Sequence, residues 1–76
     1  MKITLFSGPQ CCLCEQAIEL INALERDDLK LSVQNVRDSV DLYHLYGARI
    51  PVVKREDNKL ELAWPFTLQG LALFLA

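Results

Sequence analysis

Three cysteines, Cys11, Cys12 and Cys14, lie within four consecutive positions of the chain. Cys11 and Cys14 have the C-x-x-C spacing, which on the first turn of a helix brings both sulfurs to one side, close enough for a disulfide. A thiol at a helix N-terminus lies beside unsatisfied N–H groups and the positive end of the helix dipole. Both stabilise a thiolate and lower the pKa of the thiol from about 8.5. Because the thiolate is the nucleophile in disulfide exchange, the spacing predicts attack by Cys11.

The other two sulfurs have different expected roles. Cys14 lies one turn deeper and is expected to be less exposed, as suits a resolving thiol that displaces a mixed disulfide from Cys11. Adjacent cysteines form only strained disulfides, so Cys12 is expected to be an exposed spectator that is open to oxidation. An odd, clustered number of cysteines disfavours a secreted disulfide scaffold and favours reactive thiols or metal ligands.

The same sulfurs fit a second class of function, a non-catalytic metal-binding module. Cys11 and Cys14, with or without Cys12, could hold copper(I), zinc or a shared iron–sulfur cluster, because soft thiolates suit these metals. A tetrahedral zinc site needs a fourth ligand, and the single histidine, His44, is expected to be an ordinary helix residue. A third possibility is an interaction domain with idle cysteines. We expect the redox function and assign no metal ligands.

The residues around the cysteines predict a strand, a tight loop and a helix. Residues 2–6 form a short apolar run that is closed by the turn residues Ser7-Gly8-Pro9. From Leu13 onward, apolar residues recur at three- and four-residue spacing, which predicts an amphipathic helix ending near Asp27-Asp28.

A second strand and helix are expected to follow. Alternation at Leu29, Leu31 and Val33 predicts a strand with one buried face. Asp38 or Ser39 is expected to cap the next helix, and Gly47 fits a left-handed end. The inner face of this helix is predicted to hold Leu42, Leu45 and Tyr46. Two successive strand-and-helix units favour a parallel pair of strands.

The remaining residues predict a hairpin and a last helix. Val52-Val53 and Leu60-Glu61-Leu62 flank a charged turn and read as antiparallel strands. Thr67 can cap a short helix. Its inner face is predicted to hold Leu68, Leu71, Ala72 and Leu75. The resulting order βαβαββα predicts an α/β fold, a four-stranded mixed sheet flanked by helices, in one domain over residues 1–76.

Composition limits the possible partners. The net charge is −2 with both signs interspersed, which disfavours nucleic acid and anionic membranes as partners. The chain has no apolar run approaching the roughly 18 residues that suggest a membrane span, and no secretory signal is expected. We therefore expect a cytoplasmic chain, acting as a monomer.

The motif Cys11-Cys12-Leu13-Cys14, the stretch Ile50-Pro51-Val52-Val53 and the order of elements together resemble the glutaredoxins of the thioredoxin superfamily. Short bacterial glutaredoxin-like proteins, in which "LYGARIPV" and "WPF" are also familiar, are the most similar group. The resemblance implies a thioredoxin-like fold, a role in cell redox homeostasis and thiol–disulfide exchange at Cys11 and Cys14.

The resemblance also implies a substrate site beside the sulfurs. It places a cis-proline at Pro51, with Arg49 and Ile50 lining the site. Base rates alone favour a trans bond, since about 5% of such bonds are cis; a cis bond would present the main chain of Ile50 to an extended peptide. The expected partner is a disulfide-containing protein or a glutathione mixed disulfide. No tightly bound cofactor is expected, and glutathione is a possible co-substrate.

Two departures from the glutaredoxin pattern bear on glutathione. The usual Pro-Tyr between the cysteines is replaced by Cys12-Leu13, and no lysine stands just before the motif. The Gly-Gly and acidic residue that usually hold the amino-acid end of glutathione are replaced by Trp64-Pro65-Phe66-Thr67. Dithiol chemistry therefore transfers from the family better than glutathione use does.

Overall fold

A computed structural model describes residues 1–76. Its strands are β1 (Lys2–Ser7), β2 (Lys30–Asn35), β3 (Val52–Arg55) and β4 (Glu61–Ala63). Its helices are α1 (Cys12–Ala23), α2 (Val40–Tyr46) and α3 (Leu68–Phe74), with a 3₁₀ turn at Val36–Asp38 before α2. The order βαβαββα confirms the predicted fold class.

The four strands form one mixed sheet in the order β2-β1-β3-β4. β1 and β2 are parallel, with Leu5 opposite Val33. β3 is antiparallel to β1, with Leu5 opposite Val53, and β4 completes a hairpin with β3. The parallel pair and the hairpin are both as predicted. Because β1 has a paired strand on each side and leads directly into α1, the cysteines follow a central strand of the sheet.

α1 and α3 pack on one face of the sheet and form the larger core with it. Alternate residues of β1, Ile3 and Leu5, point to this face, as β-strand geometry requires. The buried members of this cluster are Ile3, Leu5, Ala17, Ile21, Val53, Leu71 and Leu75. α3 begins as predicted, because the Thr67 hydroxyl accepts a hydrogen bond from the Gly70 N–H at 3.0 Å.

α2 packs on the opposite face of the sheet, near the cysteine end. The smaller core there consists of Phe6, Val36, Tyr46 and Val52. α2 has only seven residues and leaves the other half of this face uncovered. The strand register places five polar side chains on that uncovered half: Lys2, Thr4, Lys30, Ser32 and Lys54.

The structure corrects two expectations, one about α1 and one about β2. α1 ends at Ala23 rather than near Asp27-Asp28, because Glu25 adopts a left-handed backbone with φ 52° and turns the chain toward β2. The predicted buried face of β2 is only partly formed: Leu29 and Leu31 are half-buried against the larger core, whereas Val33 is 56% exposed. β2 is an edge strand, and the two helices of that face pack over the centre of the sheet.

Several details of α2 and α3 also differ from expectation. Gly47 is right-handed, with φ −53°, and a Cβ there would meet the Tyr43 carbonyl oxygen at 2.5 Å, so close approach favours glycine at this position. Ser39 is the N-cap residue of α2, but its side chain makes no capping hydrogen bond. The outward-facing residues of the two short helices include Leu45, Leu68 and Ala72, which were expected to face inward.

Two arginines hold the C-terminal end of α3. Arg26 donates to the Leu75 carbonyl at 2.6 Å. Arg55 donates to the carbonyls of Phe74 and Ala76 at 2.7 and 3.1 Å. Cations at a helix C-terminus satisfy its free carbonyls and oppose the negative end of its dipole. None of the helices has both the length and the apolar character that crossing a bilayer requires.

Candidate active site

The loop from Ser7 to Gln10 sets the position of Cys11 at the end of β1. Gln10 has φ 56°, a left-handed conformation that a side chain other than glycine adopts at some cost. Cys11 then returns to an extended conformation, with φ −99° and ψ 96°, and is the N-cap residue of α1. The first thiol therefore lies at the N-terminus of the helix, as predicted.

Cys11 and Cys14 are joined in a disulfide, with their Cα atoms 5.2 Å apart. The two residues differ in access to solvent: Cys14 is 2% exposed, whereas Cys11 is half-buried. The expectation that Cys14 is the less exposed thiol is confirmed. One sulfur of the pair is therefore open to a partner while the other is covered by protein.

The sulfur of Cys11 takes the place that a serine or threonine oxygen occupies in an ordinary helix cap. It accepts a hydrogen bond from the Cys14 N–H at 3.1 Å. α1 has 12 residues, so its aligned peptide dipoles add to the positive potential at this sulfur. Both contributions stabilise negative charge on Cys11 after reduction.

The Ile50-Pro51 loop reaches the cysteine loop through one close contact. A Cβ on Gly8 would lie 2.9 Å from the Ile50 Cδ1 atom, so the absence of a side chain at Gly8 lets Ile50 pack against the backbone. Pro51 is fully buried, and its carbonyl accepts a hydrogen bond from the Trp64 N–H at 3.0 Å. The Ile50–Pro51 peptide bond is cis.

Arg49 is turned toward α2 and β4. Its guanidinium donates to the Leu45 carbonyl at 3.0 and 3.2 Å and lies 5.3 Å from the centre of the Tyr46 ring. It also lies 3.7 Å from Glu61, whose other carboxylate oxygen accepts a hydrogen bond from the Tyr46 hydroxyl. Arg49 is thus engaged on the flank of the site, and its role toward substrate stays a prediction.

Comparison with known proteins identifies the family. The glutaredoxin-like domain (DUF836) matches residues 2–76. The chain belongs to this family. No protein with a curated description matches the chain in sequence.

Solved structures agree with the glutaredoxin-like assignment. The crystal structure of protein XcR50 from X. campestris is similar with 30% identity, 96% of this chain and 93% of that chain covered, and a TM-score of 0.84. Protein Ne2328 from Nitrosomonas europaea has 25% identity, coverages of 99% and 91%, and a TM-score of 0.82. Thioredoxin 1 from Thermosipho africanus shares the fold, with 19% identity, coverages of 99% and 94%, and a TM-score of 0.67.

The remaining candidates of this glutaredoxin-like chain take no part in the disulfide. His44 and Cys12 are exposed, and Cys12 is a free thiol. Trp64 and Phe66 are half-buried, stack edge to face with ring centres 5.0 Å apart, and pack against the larger core. No three His, Cys, Asp or Glu side chains are grouped so that they could hold a metal ion. The metal-binding alternative therefore gains no support from the geometry.

Sequence reasoning missed the roles of two residues and one hydrogen bond that shape the site. Gln10 and Gly8 set the cysteine loop, but neither a left-handed glutamine nor a contact with Ile50 has a signature in the sequence. Tyr46 was predicted to pack inward, and it stacks on Phe6 with ring centres 3.9 Å apart. The hydrogen bond from Tyr46 to Glu61 joins residues 15 positions apart, which no local pattern indicates.

Proposed function

We propose that this glutaredoxin-like chain is a thiol–disulfide oxidoreductase with Cys11 as nucleophile and Cys14 as resolving thiol. The observation that carries the proposal is the Cys11–Cys14 disulfide at the start of α1, with Cys11 capping the helix. A structural disulfide would span distant parts of the chain, whereas this one closes a loop of a single helical turn.

The proposed reaction transfers two electrons from the dithiol to a substrate disulfide. The Cys11 thiolate attacks one substrate sulfur, a bond forms between them, and the other substrate sulfur leaves as a thiolate that takes a proton from water. The Cys14 thiolate then attacks Cys11, which releases the second substrate thiol and leaves the Cys11–Cys14 disulfide. An external thiol, such as glutathione, or a dithiol reductase would return the protein to its reduced form.

Burial supports this division of roles. Cys14 is 2% exposed, so a folded protein substrate cannot reach it directly. Cys11 is half-buried and accepts the hydrogen bond that stabilises a thiolate. Attack therefore begins at Cys11, and Cys14 acts once the mixed disulfide has formed next to it.

The surroundings of the dithiol supply the proposed substrate site. Ile50 and Pro51 are brought to the cysteine loop by the contact with Gly8, and Arg49 precedes them on the flank. We propose a disulfide-containing protein or a glutathione mixed disulfide as substrate, a monomeric enzyme, and the bacterial cytoplasm as the compartment that keeps such dithiols reduced. No cofactor is required, because the two sulfurs carry both electrons.

The test is intact mass after equilibration in a series of glutathione redox buffers, with alkylation of the remaining thiols. The wild type is expected to lose two hydrogens reversibly near the glutaredoxin range of about −200 to −230 mV. Cys14→Ser is expected to stop as an adduct on Cys11. Cys11→Ser is expected to form neither that adduct nor the Cys11–Cys14 disulfide, so that any glutathione adduct is confined to the free Cys12 thiol. Cys12→Ser is the matched control and should behave as the wild type. Undiminished disulfide turnover by Cys11→Ser contradicts the proposal.

A further inference from the structure

The segment that carries the dithiol is acidic. Between Ser7 and Leu24 the charged residues are two carboxylates, Glu15 and Glu19, and there is no lysine, arginine or histidine. Both carboxylates are exposed, and the ion pairs of the structure involve other residues. The Glu15 N–H donates to the Cys11 carbonyl at 3.3 Å, so Glu15 lies one turn from the nucleophile. Glu19 lies one turn further on the same face.

The basic groups offset these carboxylates only in part. Arg37 follows β2 at the cysteine end of the sheet, is exposed and forms no ion pair. Lys2 and Lys30 begin two parallel strands whose other ends lie at the cysteine loop, so both lysines are at the far edge of the sheet, about 20 Å away. Arg49 is the one cation next to the Ile50-Pro51 loop. Its guanidinium is engaged by the Leu45 carbonyl and by Glu61. A negatively charged substrate thus approaches Cys11 past two exposed carboxylates, outside the positive end of the α1 dipole that acts on the sulfur itself.

The uncharged part of the surroundings is apolar. Leu13, between the motif cysteines, is 43% exposed, although a helix residue of this size is usually buried. Ile50 is half-buried against Gly8 on the other side of the cysteine loop. The stretch after β4 that corresponds to the glutathione-binding segment of glutaredoxins is Trp64-Pro65-Phe66-Thr67, which carries no charge. Contacts with a substrate are therefore apolar, beside two exposed carboxylates.

We propose that this dithiol selects neutral or cationic disulfides, and hence a cystine in an apolar or basic stretch of polypeptide, over glutathione disulfides. Glutathione carries more carboxylates than ammonium groups and is an anion at neutral pH. Glu15 and Glu19 are the specificity-determining residues, acting through charge, and Leu13 supplies apolar contact. The inference rests on the proposed attack by Cys11 and narrows its substrate class.

The experiment compares three small disulfides that differ in charge: oxidised glutathione, the disulfide of N-acetylcysteine amide and cystamine, which are anionic, neutral and cationic. The protein is the Cys12→Ser, Cys14→Ser variant, which retains Cys11 alone. Attack forms a bond between Cys11 and one half of the disulfide and releases the other half as a thiolate, so no further oxidant is needed. The adduct is followed by mass, and each rate is divided by that of 2-mercaptoethanol with the same disulfide, which removes differences in intrinsic reactivity.

The normalised rate should rise from oxidised glutathione to cystamine by at least about tenfold at low salt, since one unit charge at about 7 Å in water changes a rate by about threefold. About 0.5 M NaCl should reduce this ratio severalfold, because screening weakens the interaction of exposed charges. Glu15→Gln and Glu19→Gln should each lower the ratio. Glu25→Gln removes the same charge beyond the end of α1 and should leave the ratio unchanged.

The possible failures are distinguishable. If oxidised glutathione reacts as fast as cystamine or faster, while Cys11 still outpaces 2-mercaptoethanol, the selectivity is wrong and the proposed redox function stands. The role of Glu15 and Glu19 is also contradicted if the rate ratio does not change with salt, or if Glu25→Gln lowers the ratio as much as Glu15→Gln and Glu19→Gln do. If Cys11 reacts with all three disulfides no faster than 2-mercaptoethanol, the proposed function itself fails.

Discussion

Replacing Tyr46 by phenylalanine should destabilise the protein through one hydrogen bond. The Tyr46 side chain is 7% exposed and stacks on Phe6, so Tyr46→Phe keeps the ring and its packing. What is lost is the hydrogen bond from the hydroxyl to the Glu61 carboxylate. Hydrogen bonds to charged groups contribute about 1.5–3 kcal/mol. Because the Glu61 side chain is 29% exposed and regains water, we expect the low end, about 1.5 kcal/mol.

The effect of Tyr46→Phe should disappear at high pH. The hydrogen bond to Glu61, with burial, raises the pKa of Tyr46 from 10.0 to about 12. A pKa that is higher in the folded state means that the stabilisation is complete below the unfolded pKa and is lost as the pH rises toward the folded one. From about pH 8 to about pH 11 the wild type should lose about 1 kcal/mol relative to Tyr46→Phe.

Urea unfolding of the oxidised protein at several pH values measures both quantities. Tyr43→Phe is the matched control, because Tyr43 lies on the same helix, is 54% exposed and makes no side-chain hydrogen bond. Tyr43→Phe should have the same free energy of unfolding as the wild type at about pH 8. Tyr46 is the only tyrosine left in this variant, so the phenolate absorbance of the variant gives the pKa of Tyr46 directly. A stability difference between the wild type and Tyr46→Phe that stays constant up to about pH 11 would refute this reasoning.

Four further predictions concern the cysteine loop, the C-terminal end of α3, an ion pair beside it and the core. Gln10→Gly should raise the free energy of unfolding by about 0.5–1 kcal/mol, since it relieves a left-handed side-chain residue, and a urea titration in which it is destabilising contradicts this. Arg55→Met should lower the free energy of unfolding, measured again with urea, because it frees the Phe74 carbonyl. The hydrogen bond from Arg55 lowers the pKa of Asp57, so this pair stabilises the protein above pH 3.8 and its contribution is lost as the pH falls below that value. In an acid titration, the free energy of unfolding of Asp57→Asn should therefore fall less than that of the wild type. Leu71→Ala should cost about 2–5 kcal/mol, seen as a lower urea midpoint, because Leu71 is fully buried.

The sequence predicted those parts of the fold that local chemistry determines. Cys11 at the start of α1, Thr67 at the start of α3 and the parallel pairing of β1 with β2 follow from turn residues, capping and periodicity. The expected burial of β2 holds for Leu29 and Leu31 and fails for Val33, because a strand residue is buried only where a helix covers it. The position of β2 at the sheet edge is a tertiary fact.

The sequence predicted the two sulfurs of the candidate site better than it predicted the residues around them. The C-x-x-C spacing after a strand gave the disulfide pair and the burial of Cys14. The engagement of Arg49 by Glu61 could not be foreseen, because it depends on where β4 passes relative to α2. The end of α1 at Ala23 was missed for a similar reason: Glu25 adopts the left-handed turn that a glycine would have marked.

The brevity of α2 affects how copies of this protein meet in a crowded solution. A sheet face left half uncovered would be adhesive if it were apolar, and it would invite other sheets to stack on it. Here Lys2 and Lys30 stand opposite each other on neighbouring strands, with Lys54 close by on the same face. An identical face brought against it would bring cations together and strip water from them. The seven residues of α2 therefore suffice to form the smaller core, and charged side chains keep the rest of this sheet face hydrated.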